Sequence, residues 1–395
     1  MFETLSKQGR LLTLSCQTFG EKLCEAWHTK ENTSLLYLRN VRCVGKSKYR
    51  TFGKISIIRS KKTNAKTVLL EGTKRMKRGR SAAIVTLDLS QVKQYSIFPG
   101  QIVGVEGIMY NDNVLVANAL FSYGYPTIPK SLTLTKGLRV YVAAGPYTTY
   151  HSPDYQPLWN LIDCVKKEIP DILILIGPMV DAKHSGFLKN FEYTFQEVFD
   201  RTVTRVIKAL EGIPTKLVFV PSHRDAHHEP VYPTIEYIMP EGNKLNSSTN
   251  FCALPDPCIF TVEELLIGIT AVDVIKDLSH SEITYVLLQY LYGDRLGRLA
   301  NHVLSQCTFY PVYPAPAGSL NIDTTNWRKY TSLEPQPHML ILPSDIKQFS
   351  KVINGCLVLN PGRLFKGIFS KLEVPVVEKG VWSGDQIICE IEKFL

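Results

Sequence analysis

Imidazole and carboxylate side chains crowd into one short stretch of the sequence, at His223, Asp225, His227, His228 and Glu229. These groups are common protein ligands of transition metals, so the stretch could hold a metal ion. The H-x-x-x-H spacing would suit one face of a helix, but a proline on each side of the stretch indicates a loop. A structural role in hydrogen bonding is therefore favoured, while an interface and a relic metal site stay open as alternatives.

Other chemistry would have to lie in the loops that follow buried strands, because open α/β sheets bind ligands at the carboxyl ends of their strands. Three continuous apolar runs predict strands that are buried on both faces: Val140 to Ala144, Ile172 to Ile176 and Leu217 to Val220. The loops that follow them begin at Gly145, Gly177 and Pro221. These loops are rich in proline and poor in acids and imidazoles.

The elements that position these loops continue to the C-terminus. Further strands are predicted at Ile267 to Ala271, Met339 to Leu342, Cys356 to Asn360 and Gln386 to Ile391, and a further helix at Glu282 to Gln306. Apolar residues between Phe191 and Leu210 recur on one side of a helix that stops at Gly212 and Pro214. Strands that alternate with helices predict one layered α/β domain over residues 139–395.

Residues 41–125 have the pattern of a small β-barrel. Five short strands are predicted, at Thr51 to Arg59, Lys66 to Glu71, Ala83 to Ser90, Gln101 to Met109 and Val114 to Phe121. The residues 111–113 tolerate positive φ and predict a hairpin between the last two strands. An OB-fold is the most economical barrel of this strand count, and an SH3-like barrel is the alternative. Residues 1–40 form an N-terminal extension with a short helix around Glu21 to His28, and residues 126–138 form a linker.

Positive charge is concentrated at one end of the chain. The net charge is +9, yet the first 100 residues hold 20 Lys and Arg against 6 Asp and Glu, so the rest of the chain is net negative. The densest basic run contains Lys74, Arg75, Lys77, Arg78 and Arg80 beside glycines, which predicts an exposed loop. A solvated loop or a nuclear-import address is one interpretation, and weak contact with nucleic-acid phosphates is the other.

The composition excludes several classes of protein. The chain has 395 residues, 45% of them hydrophobic, which suffices for two or three packed domains. No apolar run approaches the roughly 18 residues of a membrane helix, and the first residues lack a signal-peptide pattern, so membrane and secreted proteins are excluded. The nine cysteines are scattered without a C-x-x-C pair, which disfavours disulfide and zinc scaffolds and favours a reducing compartment.

Several motifs resemble the B subunits of the replicative DNA polymerases, in particular those of DNA polymerase alpha–primase. The motifs are S-I-F-P-G-Q-I-V-G-V-E-G at Ser96 to Gly107, G-P-x-x-D-A-K-H at Gly177 to His184, V-F-V-P-S-x-R-D-x-H-H-E-P-V-Y-P at Val218 to Pro233, Y-P-x-Y-P at Tyr310 to Pro314 and N-P-G-R-L at Asn360 to Leu364. The resemblance runs from the barrel to the C-terminus. It implies an OB-fold barrel followed by a layered α/β domain of the calcineurin-like phosphoesterase type.

The same resemblance implies a function and partners. B subunits of this kind are non-catalytic scaffolds that bind the zinc-bearing C-terminal domain of the polymerase catalytic subunit and, through the complex, primase. The implied role is RNA–DNA primer synthesis in the nucleus, in replication initiation and in lagging-strand and telomere C-strand synthesis. Telomere or replisome factors and weak DNA or RNA contact are further implied partners, and no membrane is. Stand-alone nucleic-acid binding through the OB-fold is the alternative.

Active calcineurin-like phosphoesterases hold two metals with D-x-H, G-D-x-x-D, G-N-H-D or G-N-H-E, a single His and G-H-x-H. The positions that the resemblance assigns to the first three motifs carry Ala144, Pro146, Pro178, Asp181, Ser222 and His223. The single-His window near Leu304 to Tyr310 holds Cys307 and Phe309, and Leu342 to Asp345 holds no histidine. Because each metal needs roughly four to six ligands, we expect no metal, cofactor or catalysis. An active metal-dependent phosphodiesterase is the less favoured alternative.

Two expectations concern other polar residues of these loops. Asp181 is predicted to accept hydrogen bonds from backbone amides in a cap or turn. Lys183, His184 and Arg363 could together receive an acidic partner, although solvated surface is the favoured interpretation.

Overall fold

The computed structural model describes residues 3–31, 35–42, 47–59, 66–76, 79–111, 113–127, 129, 132–188, 192–240, 250–285, 294–380 and 382–394. The chain divides into two compact units, Met1–Pro126 with Asp277–Ser319, and Thr127–Lys276 with Leu320–Leu395. The first unit therefore takes in a segment that lies, in the sequence, within the predicted domain 139–395.

The helices are α1 (Leu5–Glu31), α2 (Gln156–Glu168), α3 (Ser185–Leu188), α4 (Phe195–Ala209), α5 (Val274–Ser281), α6 (Arg295–Ser305) and α7 (Thr324–Tyr330), with 3-10 turns at Leu364–Lys366 and Gly384–Gln386. None of the described helices combines the length and the apolar character that a membrane span requires.

The strands of the first unit are β1 (Leu36–Tyr37), β2 (Tyr49–Arg59), β3 (Lys66–Met76), β4 (Gly79–Asp88), β5 (Tyr95–Ile97), β6 (Ile102–Asn111), β7 (Val114–Phe121) and β15 (Ile283–Tyr285). The strands of the second unit are β8 (Leu132–Leu134), β9 (Leu138–Ala144), β10 (Ile172–Ile176), β11 (Lys216–Val220), β12 (Phe251–Ala253), β13 (Cys258–Val262), β14 (Leu265–Ile269), β16 (Met339–Ile341), β17 (Phe349–Ile353), β18 (Cys356–Asn360), β19 (Ile368–Val374), β20 (Val377–Gly380) and β21 (Ile388–Lys393).

Five strands of the first unit close into a barrel. Their order is β2, β3, β4, β7 and β6, and β6 pairs back onto β2. The ladders are antiparallel except for the parallel pair β4 and β7. Inward-facing residues form one core: Ile55, Leu70, Val85, Val103, Val105 and Leu115. The predicted strands and the predicted hairpin are confirmed, and Asn111 Oδ1 accepts hydrogen bonds from the amides of Asn113 and Val114 at 2.9 Å.

Helix α1 is much longer than the short helix predicted near Glu21, because it runs for 27 residues. Its buried face consists of Cys16, Gly20, Leu23, Cys24 and Trp27. A glycine is needed at position 20, where a Cβ would lie 2.1 Å from the Phe52 ring. Packing on the barrel stabilises this long helix, whose own apolar stripe is narrow, and the sequence pattern therefore underestimated it.

The helix predicted from Glu282 to Gln306 is wrong in its first half. Ile283–Tyr285 form β15, which pairs antiparallel with β5. Helix α6 begins only after Asp294, whose side chain accepts a hydrogen bond from Gly297 N at 2.9 Å. Residues 286–293 lie outside the described part of the chain. Pairing with a strand that is distant in the sequence overrides the local helical pattern here.

A partly buried polar network fixes the segment 277–319 to the barrel. Glu282 accepts hydrogen bonds from Ser96 Oγ at 2.5 Å and from Arg298 Nε at 2.8 Å. The Nε2 atom of His302 lies 2.7 Å from Ser96 Oγ and 3.3 Å from Glu282 Oε1. Burial opposes ionisation of Glu282, but hydrogen bonds from His302, Arg298 and Ser96 outweigh it and lower the pKa of Glu282 to about 2.

The second unit is a sandwich of two sheets. One has the order β12-β11-β10-β9-β19-β21 and the other the order β13-β14-β16-β18-β17. A single apolar core joins facing residues of both sheets: Val142, Ile174, Ile176, Val218, Ile267, Ile341 and Leu359. Helices α2 and α4 cover the other face of the first sheet, where Leu161, Phe199 and Val203 are fully buried. The predicted strands and the layered α/β class are confirmed.

Part of the predicted linker 126–138 belongs to the second unit. Leu132 and Leu134 of β8 are fully buried, and β8 pairs with β20. Thr135 also donates hydrogen bonds to Glu263 from its amide and its hydroxyl. Burial of two leucines explains why this stretch forms a strand although its Pro, Ser and Thr content indicates a linker.

Candidate functional site

The carboxyl ends of β9, β10 and β11 meet at one edge of the first sheet, because the three strands run parallel. The loops are held close to the neighbouring strands: Gly145 N donates to Ile176 O at 2.8 Å, and Gly177 N donates to Val220 O at 2.7 Å. Glycine is required at position 177, where a Cβ would lie 2.7 Å from Asp225 Oδ2. The sequence predicted this convergence of loops.

A fully buried carboxyl group, that of Asp225, ties two of these loops together. Its Oδ1 accepts hydrogen bonds from the amides of Met179 at 2.6 Å and Val180 at 3.1 Å. Its Oδ2 accepts from the amide of Ser222 at 2.9 Å and from the hydroxyl of Tyr237. Burial raises the pKa of Asp225 to about 6, although these four donors favour the charged form. The group therefore has a structural role.

Asp181 follows β10 and is paired with a cation of the protein. Its Oδ1 accepts a hydrogen bond from Lys183 N at 3.1 Å, as a turn residue would. Its Oδ2 lies 2.6 Å from Arg224 Nη2 in a salt bridge, and only 6% of Asp181 is exposed. The backbone contact matches the predicted turn role, whereas the ion pair adds a partner that the sequence did not reveal.

The guanidinium of Arg363 lies beneath the same loops and is 2% exposed. It donates from Nε to Asp345 Oδ1 at 3.1 Å and from Nη1 to Gly145 O at 3.2 Å. Its Nη2 donates to Asp273 Oδ2 and to Pro343 O, both at 3.4 Å. One buried cation thus joins loops from both sheets of the second unit. Arg363 is therefore not the solvated surface residue that the sequence favoured.

Two acids accompany this guanidinium. Asp273 accepts hydrogen bonds from Ser344 Oγ at 2.6 Å and from Asp345 N at 2.7 Å. Asp345 also forms a salt bridge to Lys276 Nζ at 2.8 Å. Burial raises the pKa of Asp345, but the positive charges of Arg363 and Lys276 outweigh it and lower that pKa to about 2. Both carboxylates are therefore engaged by cations of the protein.

The residues at the strand ends do not fit a pair of divalent metals. Three positions that the resemblance assigns to metal ligands have side chains with no atom that can bind a metal: Ala144, Pro146 and Pro178. The carboxylate that remains, on Asp181, is paired with Arg224, and Ser222 Oγ accepts a hydrogen bond from Arg224 N at 3.2 Å. Within the described ranges, no group of three or more His, Cys, Asp or Glu side chains could hold a metal ion.

The histidine-rich stretch forms turns, as its flanking prolines predict. His227 stacks on Phe199 with ring centroids 4.0 Å apart and on Tyr237 at 5.6 Å. Burial lowers the pKa of His227 to about 4, so the ring is neutral near pH 7. Glu229 N donates a hydrogen bond to His228 Nδ1 at 2.8 Å. His223 is half-buried in the same loop. Ring packing accounts for His227, and a local hydrogen bond accounts for His228.

The window in which a single metal-binding histidine was sought, Leu304 to Tyr310, belongs to the first unit. Cys307 Sγ donates to Gly124 O at 2.5 Å, and Phe309 is 1% exposed. In the second unit the loop that follows β14 contains Asp273 instead. The window therefore lies within the segment 277–319 of the first unit, whereas the strand-end loops belong to the second unit.

Three residues of the basic run, Lys74, Arg75 and Arg80, lie on paired strands of the first unit. The ladder between β3 and β4 continues through Lys74 opposite Ser81, Arg75 opposite Arg80 and Met76 opposite Gly79. Lys77 and Arg78 lie outside the described residues. Cross-strand pairing extends β3 beyond the predicted end at Glu71, so three of the five basic residues belong to paired strands.

Several residues of the strand-end site were not singled out from the sequence. Asp273 lies just after the predicted strand Ile267 to Ala271, a position that could have drawn attention. Lys276 and Thr148 gave no sequence signal. Their roles depend on contacts with loops that are many residues away, which a single sequence does not show.

Two family models match the chain. One describes the OB domain of the DNA polymerase alpha B subunit and matches residues 10–123. The other describes the B subunit of DNA polymerases alpha and epsilon and matches residues 140–351. The first match identifies the barrel as an OB domain and removes the SH3-like alternative. The resemblance that the motifs indicated is confirmed.

Proteins of similar sequence have names that agree with the family match. The DNA polymerase alpha B subunit of Mus musculus is 34% identical over 373 residues, which cover 93% of this chain and 60% of the relative. Its counterpart in Schizosaccharomyces pombe is 29% identical over 343 residues, covering 80% of this chain and 57% of the relative. The chain spans about 60% of the length of the mammalian relatives that it matches.

Among solved structures, one match is an archaeal phosphodiesterase, which is 11% identical to this chain with a TM-score of 0.30. The match covers 65% of this chain and 100% of that protein. Another match is a protein of Thermus thermophilus, which is 12% identical with a TM-score of 0.29. This match covers 62% of this chain and 98% of that protein.

The longer of the two family matches covers more than half of the residues of this chain. The chain belongs to the family of B subunits of DNA polymerases alpha and epsilon.

Proposed function

We propose that this chain is a non-catalytic accessory subunit of the DNA polymerase alpha–primase complex. Family membership and the name of its relatives, which are B subunits of DNA polymerase alpha, support the assignment. The proposed role is to hold the complex together while it makes RNA–DNA primers in the nucleus.

The buried guanidinium of Arg363 supports the proposal that the chain is non-catalytic. It binds Asp345 and Asp273, while Arg224 binds Asp181. Metal-dependent hydrolysis of phosphodiesters needs carboxylates and imidazoles that are available to activate a metal-bound water. Here the carboxylates at the strand ends neutralise side chains of the protein. The phosphoesterase-type domain is therefore proposed to be inactive and to act as a platform.

The proposed partner is the zinc-bearing C-terminal domain of the polymerase catalytic subunit. Primase subunits would join through the complex, and telomere or replisome factors would be further partners. The resemblance to polymerase B subunits supports this choice.

Co-elution in size-exclusion chromatography tests the partner. The full chain is mixed with the zinc-loaded C-terminal domain of the catalytic subunit at micromolar concentration, and the mass of the peak is determined by light scattering. A single peak with the mass of a one-to-one complex is expected. Two separate peaks would contradict the proposal. The same domain after zinc removal is the control for a folded partner.

Weak nucleic-acid binding is a second candidate function, favoured by the basic run, of which Lys74, Arg75 and Arg80 lie on β3 and β4. Filter binding of single-stranded DNA at several salt concentrations tests it, with Lys74, Arg75, Lys77, Arg78 and Arg80 all changed to alanine. If these residues contact phosphates, the variant should bind more weakly, and its affinity should depend less steeply on salt concentration. Unchanged affinity and slope would contradict this function.

A further inference from the structure

We propose that the strand-end pocket of the second unit binds a phosphate group directly, without a metal ion. The pocket is a cavity of about 360 Å³ beside the loops that follow β9, β10 and β18. The side chains in its wall that can donate hydrogen bonds or positive charge to an anion include Thr148, Lys183, Arg224 and Lys366. This site goes beyond the proposed scaffold function and does not depend on it.

Two donors of the pocket wall are buried and have no hydrogen-bond partner within the described part of the chain. Thr148 is 2% exposed, and the unpaired donor is its Oγ1 atom. Arg224 uses Nη2 to bind Asp181, and its unpaired donor is the buried Nε atom. Buried polar groups in native proteins are nearly always hydrogen-bonded, so each exception needs an explanation. Both atoms are covered by neighbouring protein atoms. An anion in the pocket would therefore have to displace those neighbours slightly to accept hydrogen bonds from Thr148 and Arg224.

The charges around the pocket favour an anion. Lys183 and Lys366 are exposed, and neither has a salt bridge among the described residues. The two acids of the wall, Asp181 and Asp345, are already neutralised by Arg224 and by the pair Lys276 and Arg363. The excess positive charge therefore belongs to the two lysines, whose ammonium groups are available to a ligand.

A phosphate suits these donors better than a carboxylate does. A phosphate monoester has three acceptor oxygens and nearly two negative charges at neutral pH. The pocket offers a hydroxyl, a guanidinium N–H and two ammonium groups, which match that number of acceptors and that charge. The phosphate could belong to a phosphorylated side chain of a partner or to a nucleotide. A base could stack on Tyr150, which lines the pocket and is 76% exposed.

Isothermal titration calorimetry of the full chain in buffer with EDTA tests the proposal. The probes are inorganic phosphate, phosphoserine, adenosine monophosphate and, as the carboxylate control, glutamate. Saturable binding of the phosphate compounds is expected, with glutamate much weaker. The double variant Lys183→Gln/Lys366→Gln should weaken binding roughly tenfold for each lysine. Tighter binding of phosphoserine would indicate a phosphorylated side chain as the source, and tighter binding of adenosine monophosphate a nucleotide.

The matched control is Lys166→Gln/Lys167→Gln, which removes two exposed lysines of α2 that do not line the pocket. It should bind phosphate as the wild type does. Thr148→Val should weaken binding while the thermal midpoint is retained, which separates a binding role from a structural one. The proposal is overturned if no probe binds, if the Lys183→Gln/Lys366→Gln variant binds as tightly as the control, if glutamate equals phosphoserine, or if binding appears only with Mn²⁺.

Discussion

Each unit of the molecule contains a buried polar cluster, and the two clusters differ in whether their donors are used. In the first unit, Ser96, Glu282, Arg298 and His302 hydrogen-bond to one another. In the second unit, the hydroxyl of Thr148 and one nitrogen of Arg224 at the strand-end pocket have no hydrogen-bond partner among the residues that the structure describes.

The difference indicates what each cluster is for. A buried network whose members satisfy one another stabilises a particular packing, here that of the segment 277–319 on the barrel. Unpaired buried donors cost stability, and a bound ligand is one explanation for them. The first cluster is therefore assigned to folding and the pocket to binding, and the following changes test that contrast.

The largest effect is expected for Arg363→Met. It leaves the carboxylates of Asp345 and Asp273 beside a buried apolar side chain, so the free energy of unfolding should fall by about 3–5 kcal/mol. Urea unfolding followed by circular dichroism measures this. The control Arg328→Met removes an exposed arginine and should change the free energy by less than about 0.5 kcal/mol. Equal effects of the two variants would contradict the role of Arg363 as an internal counter-ion.

Glu282→Ala tests the complete cluster of the first unit. Removal of its carboxylate leaves Arg298, Ser96 and His302 without their common acceptor, and a loss of about 3 kcal/mol is expected. Native-state hydrogen exchange should show faster exchange in α6, because this segment loses its attachment. Glu25→Ala, at an exposed position of α1, is the matched control. Unchanged protection of α6 in Glu282→Ala would show that the network does not hold the segment.

Another buried acid, Asp256 of the second unit, extends the comparison, because its Oδ2 atom has no hydrogen-bond partner among the described residues. Its Oδ1 accepts from Thr270 Oγ1 at 2.8 Å and from Ala271 N at 2.9 Å. Burial raises the pKa of Asp256 from 3.8 to about 7, so the folded state binds a proton that the unfolded state has released. The stability that this proton contributes is complete below about pH 4 and is lost as the pH rises through 7.

Asp256→Asn should therefore flatten the decline of stability between pH 4 and 7, which is at most about 1.4 kcal/mol per pH unit for one proton. Urea unfolding at several pH values measures the slope. Asp163→Asn, an exposed position of α2, should retain the wild-type slope. An unchanged slope in Asp256→Asn would mean that this carboxyl group is ionised in the folded protein.

The smallest effects come from a matched pair of hydroxyl deletions. Ser96→Ala removes a satisfied member of the first cluster and should cost about 1–2 kcal/mol. Thr148→Val removes an unpaired buried hydroxyl and should leave stability unchanged or raise it by about 1 kcal/mol. Thermal unfolding of both variants checks the pair. Similar losses in both would remove the distinction between a folding cluster and a binding pocket.

Sequence patterns predicted the strands and helices that depend on neighbouring residues in the chain. The strands Ile172–Ile176 and Cys356–Asn360 have the predicted bounds, because strands buried on both faces read as continuous apolar runs. The helix predicted from Glu282 failed, since β15 depends on pairing with β5, far away in the sequence.

The candidate site was predictable only in outline. Apolar runs in the sequence located the strand-end loops, and the family resemblance implied that most metal ligands are missing there. It did not show that Arg363 pairs with Asp273, which lies 90 residues earlier. It also did not show that Thr148 is buried with no partner among the described residues, since burial and pairing are properties of the folded chain.

We propose that the carboxylates at the strand ends serve the cations of the protein and not a pair of metals. The most direct test is hydrolysis of bis(p-nitrophenyl) phosphate by the full chain with added MnCl₂, with and without EDTA. We predict turnover equal to that of a protein-free control in both conditions. Turnover that EDTA abolishes and that Asp181→Asn removes would contradict the account.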